Sequence, residues 1–171
     1  PSLYDFLAFR AIDFFTQESP FTIRPASGFI VNDEKYFAPA ADFIQMSVIA
    51  DDSLSFACQA IRLFQEVLRF HSGDNADFSA LVDADLARLA FVHHTSVSPD
   101  KDQLYIQSLR YLVEKYKNQP VSAEIRYQLA DRLKQEGSKY KPVVSGEHQW
   151  DIKEAYEIAT VTATRFPETD G

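Results

Sequence analysis

Apolar residues recur every three or four positions along most of this chain, which is the spacing of helices that bury one face. Leu3, Leu7, Ala11 and Phe14, joined by Phe6 and Phe15, predict a first helix with a wide apolar stripe, running to about Thr16. Ser2-Leu-Tyr-Asp5 opens it as a capping box. The period then breaks. Pro20, Pro25 and Gly28 make a regular helix untenable between Gln17 and Asn32. The short apolar pieces Phe21-Thr-Ile23 and Phe29-Ile-Val31 predict instead a short β or irregular segment near residues 20–32. It should fold over the helices, because its large apolar side chains need burial.

Helical spacing resumes at Ala38-Pro39 and runs to about Met46, with Phe43, Ile44 and Val48 as its apolar positions. Asp51-Asp52-Ser53 caps a longer helix to His71, packed through Leu54, Ala57, Ile61, Phe64 and Leu68. Ser72-Gly73-Asp74 ends it, glycine being suited to a left-handed helix terminus. Asn75 to about His94 follows, with Phe78, Val82, Leu86 and Leu89 inward. Ser98-Pro99 starts a helix to Lys117, Ser122 one to about Glu136, and Ile152 one to Arg165. The fold class predicted is all-α: about seven helices, joined mostly by short links that favour antiparallel neighbours, in a single domain over residues 1–171.

Two helices close on similar motifs, Lys115-Tyr116-Lys117 and Arg165-Phe166-Pro167. Between them, Leu129, Ala130, Leu133 and Gly137 resemble the first helix of a tetratricopeptide unit, and Ala155 to Pro167 resembles the second. That resemblance implies a tetratricopeptide-like α-solenoid, in which a small residue lets paired helices approach closely. Ala130 is expected at the close crossing with the helix that contains Ala155. A regular unit spans about 34 residues, whereas the two closing motifs lie about fifty apart. The excess falls mostly between Gly137 and Asp151. Tyr140, Val143, Val144 and the sole tryptophan, Trp150, lie in that insertion. Exposed, they would form a candidate partner surface. Packing onto the end of the stack is the preferred expectation, because isolated loop aromatics more often pack than bind.

Net charge changes the picture by exclusion. At −8 over 171 residues the chain lacks the basic footprint of a nucleic-acid or anionic-membrane binder. Residues 1–100 carry 6 Lys and Arg against 14 Asp and Glu, and residues 101–171 carry 11 against 11. Much of that acid stands where helices should start, and there it complements the helix dipole. No apolar run is long enough for a membrane span, so this segment is not expected to insert into one. With 46% hydrophobic residues the chain can build a full core.

Candidate chemistry is sparse. His93-His94 point about 100° apart on a helix and cannot chelate one ion together. His93 continues an apolar face, and His71 ends its own helix, so both are expected to be satisfied core or capping residues. Asp83 and Asp85, two positions apart, face opposite sides. Cys58 lies among alanines within a helix and is expected to be a small core residue. No nucleophile elbow, phosphate loop or zinc-protease motif occurs. No catalytic residue, metal ligand or cofactor site is therefore assigned, and the chain is expected not to be an enzyme.

Read in blocks, Leu3-Tyr-Asp-Phe-Leu-Ala-Phe-Arg-Ala-Ile-Asp-Phe-Phe, Tyr36-Phe-Ala-Pro-Ala, Leu63-Phe-Gln-Glu-Val-Leu-Arg-Phe-His and Leu81-Val-Asp-Ala-Asp-Leu-Ala-Arg-Leu-Ala-Phe-Val resemble a known region. It is the helical N-terminal region of large bacterial alpha-2-macroglobulin-like proteins of the Bacteroidetes type. The stretch from Leu104 to Phe166-Pro167 is similar to it too. The resemblance implies an envelope-associated protein, periplasmic or bound to the outer membrane, in a protease-trapping context. Cys58 is followed by Gln59-Ala60-Ile61, so the family's Cys-x-Glu-Gln thioester motif is absent here. The expected function is a non-catalytic helical scaffold or interaction segment whose partners are downstream domains of the same chain, or a protein or peptide. The alternative is a free-standing peptide-binding module. More chain is expected beyond Gly171, continuing into β-sandwich domains, with an export signal upstream of Pro1.

Overall fold

The hydroxyl of Ser2 accepts from the Asp5 amide at 3.2 Å while the Asp5 carboxylate accepts from the Ser2 amide at 2.6 Å. This reciprocal cap starts the first helix of the computed structural model, which describes residues 2–16, 29–49, 55–73 and 78–169. The described chain is helical: α1 (Leu3–Thr16), a 3-10 turn (Glu34–Phe37), α2 (Ala40–Gln45), α3 (Phe56–His71), α4 (Ser79–Thr95), α5 (Lys101–Lys115), α6 (Ser122–Gly137) and α7 (Asp151–Arg165). Among the described residues there is no strand, and no helix is long and apolar enough to cross a membrane. The fold is all-α. It divides into two compact units, residues 1–105 and 106–171, with the boundary inside α5.

In the first unit α3 is the hub, in contact with α1, α2 and α4. Cys58, Ala60, Ile61, Phe64, Val67 and Leu68 are all buried, a stripe wide enough to serve three neighbours. Helix α1 runs antiparallel to it. Tyr4 and Phe70 meet in a tilted pair near one end with ring centroids 4.4 Å apart, and Phe14 and Phe15 meet Phe56 at the other. The face that α1 buries is not the predicted stripe. Asp5, Ala8 and Ile12 face inward, whereas Leu3, Phe6, Leu7 and Phe14 are exposed. Small Ala8 allows a close approach, and Asp5 must turn inward to accept the 2.7 Å hydrogen bond with His71.

Helix α2 has six residues, too few to satisfy its own last carbonyls, and α3 supplies the donors. Gln65 donates to the Phe43 and Met46 carbonyls at 2.7 and 2.8 Å, and Arg69 to the Ile44 carbonyl at 3.2 Å. On α4, Arg88 is fully buried. Its guanidinium donates to Asp85 at 2.6 and 2.8 Å and to the Tyr36 carbonyl at 2.7 Å, and lies 4.4 Å from the Phe43 ring centroid. Burial lowers the guanidinium's pKa, and Asp85 opposes that shift.

One boundary expectation meets a different outcome, and two fall wholly or partly outside the described residues. Gly73 has no positive φ, and α3 ends through Ser72 in a right-handed conformation whose amide still reaches the Leu68 carbonyl. The predicted cap Asp51-Asp52-Ser53 lies outside the described residues, and the described cap is Ser55, accepting from the Cys58 amide. Of the segment near residues 20–32, residues 17–28 also lie outside the described set. Val31 is buried and accepts one backbone bond from Val97 at 3.1 Å, while Ile30 is exposed rather than packed.

In the second unit α6 and α7 pack closely. Ala123, Ile125, Leu129, Ala130 and Leu133 line the buried face of α6, against only Ala155 and Thr162 buried on α7. Gly137 fixes how near α7 can start: a Cβ there would lie 2.5 Å from Ile152 Cγ1 and 2.9 Å from the Ile152 backbone nitrogen. Both basic-aromatic closures sit where expected, just past α5 and α7, with Lys115 and Arg165 lying 5.1 and 5.5 Å from the ring centroids of Tyr116 and Phe166.

Candidate functional site

The connection from α6 to α7 is built from the buried Glu136 outward. A carboxylate in such a place needs donors on all sides. Arg132, one turn earlier, donates to it, and Lys139 Nζ reaches both oxygens at 2.8 Å. His148 Nε2 stands 3.9 Å from Oε2, while its Nδ1 is 2.9 Å from Asp151 Oδ2, at the start of α7. His148 itself is in the left-handed region at φ 62°, uncommon for a non-glycine residue although histidine tolerates it better than most. Residues between these anchors form successive turns. The Tyr140 amide donates to the Gly137 carbonyl, the Val144 and Ser145 amides to the Lys141 carbonyl, and the Gln149 amide to the Gly146 carbonyl.

The loop's apolar residues stand mostly away from the helices. Val143 is 99% exposed, Val144 78% and Trp150 65%, with only Tyr140 half-buried. The expected packing of these side chains onto the helices therefore does not occur for three of the four. Turns take up most of the chain between Gly137 and Asp151, and Val143 and Val144 follow Pro142 in one of them. Lys153 Nζ sits 5.9 Å from the Trp150 ring centroid.

The residues read for chemistry are brought into separate pairs. His93 is half-buried, 2.7 Å from Asp102 and stacked on Tyr105 at 4.7 Å, while His94 points to solvent. His71 pairs with Asp5 in the core. Asp83 is exposed and Asp85 buried, on opposite sides of α4. Cys58 is wholly buried. Among the described residues no group of three or more His, Cys, Asp or Glu is arranged to hold a metal ion. Sequence reasoning missed the Glu136 network. Its local part was available in the spacing of four between Arg132 and Glu136, which places both on one face of α6, with Lys139 three residues on, just past the helix end. Comparison with family models, with curated proteins and with solved structures finds no match to this chain.

Proposed function

We propose that the chain is a non-catalytic helical scaffold or interaction segment, with paired helices of tetratricopeptide-like design, and that the 138–150 loop is where it meets its partner. One observation carries this reading: three large apolar side chains stand in solvent on a loop whose two ends carry polar side chains gathered around the buried Glu136. A loop left to solvation alone needs neither the network nor the exposed indole. The α6–α7 pair, with Gly137 at its closest approach, supports the repeat design. The partner is a following domain of the same chain, or a protein or peptide. An envelope-associated, alpha-2-macroglobulin-like setting, periplasmic or at the outer membrane, rests on the sequence resemblance alone.

Trp150 is the only tryptophan, so its emission reports this loop without labelling. In the segment alone it should be red-shifted and readily quenched by acrylamide. In a polypeptide that carries the proposed following domain, emission should shift to the blue and quenching should fall. Equal quenching in both, together with unchanged domain association in a Val143→Ser/Val144→Ser variant, would refute the loop as the contact.

A further inference from the structure

We draw no further inference here: the strongest candidate, the outward apolar face of α1 formed by Leu3, Phe6 and Leu7 in the first unit, is an unpartnered helix face, and nothing in the structure shows what covers it.

Discussion

Replacing Gly137 by alanine sets two well-understood effects against each other. In an ordinary helix the change stabilises by about 0.5 to 1 kcal/mol, because glycine loses more backbone freedom on folding. The backbone here raises no objection, since Gly137 has no positive φ. The space does. The new methyl carbon would stand 2.5 Å from Ile152 Cγ1, 2.9 Å from the Ile152 nitrogen and 3.3 Å from Asp151 Cβ. Ile152 is an exposed side chain and can rotate away, but its nitrogen belongs to the first turn of α7 and moves only if the helix moves. Overpacking of this kind costs about 1 to 3 kcal/mol. The net expectation is a loss of about 1 kcal/mol, up to about 2 if α7 cannot slide. Urea unfolding followed by Trp150 fluorescence and by circular dichroism measures it at the right place. Gly73→Ala is the control: among the described residues, its chain neighbours aside, nothing lies within 4 Å of its Cβ position, so the entropic gain should appear undiminished. Adding Ile152→Ala to Gly137→Ala should recover only part of the loss, because the backbone clash persists. A Gly137→Ala protein at least as stable as its parent would refute the close-approach argument.

Ala130→Leu should cost about 1 to 3 kcal/mol in the same assay, since Ala130 is buried on the α6 face that packs against α7. Asp85→Ala should be worse, about 3 to 5 kcal/mol, because it strands the Arg88 charge in the core. The double variant Asp85→Leu/Arg88→Met should lose markedly less, and equal losses would mean that the stranded charge is not the cause. Asp5 has its pKa lowered, first by the Ser2 amide and then, against the opposing effect of burial, by the Ser2 hydroxyl and His71. A depressed carboxylate contributes stability that is present above its unfolded pKa, near 3.9, and is lost as pH falls through the folded value. Thermal melts taken downward from pH 5 should therefore show a steeper decline in the parent than in Asp5→Asn, and parallel curves would disprove the linkage.

Local signals in this sequence translated well wherever a single helix decides the outcome. The Ser2–Asp5 cap, the proline-marked start before α5 and the basic-aromatic closures after α5 and α7 all depend on neighbours within one turn, and all appear in the structure. The inward face of α1 depended on something else. Its larger apolar stripe predicts the wrong side, because periodicity weighs hydrophobicity and cannot see that Asp5 has a buried partner 66 residues away. The buried carboxylate and its histidine partner lie on the inward face with Ala8 and Ile12, while the bulkier Leu3, Phe6 and Leu7 stay exposed.

The same reasoning explains the loop. Tyr140, Val143, Val144 and Trp150 were legible as an anomaly, being apolar residues where a repeat has no room for them. Their orientation was not legible, because it is set by polar residues that look unremarkable in sequence. Glu136 becomes a buried anchor only when Arg132, Lys139 and His148 converge on it, and His148 can do so only from its left-handed backbone conformation. Hydrophobicity predicted that these side chains would be hidden, yet Val143, Val144 and Trp150 stand in solvent beside a polar cluster around Glu136. A surface assembled in this way is sensitive to the network before it is sensitive to its own side chains. Glu136→Gln, which keeps the shape and removes the charge, should leave α6 and α7 in place while freeing Trp150, seen as a drop in fluorescence anisotropy with little change in helical circular dichroism. An unchanged anisotropy would mean that the turns alone hold the loop, and that the buried carboxylate serves α6 rather than the surface.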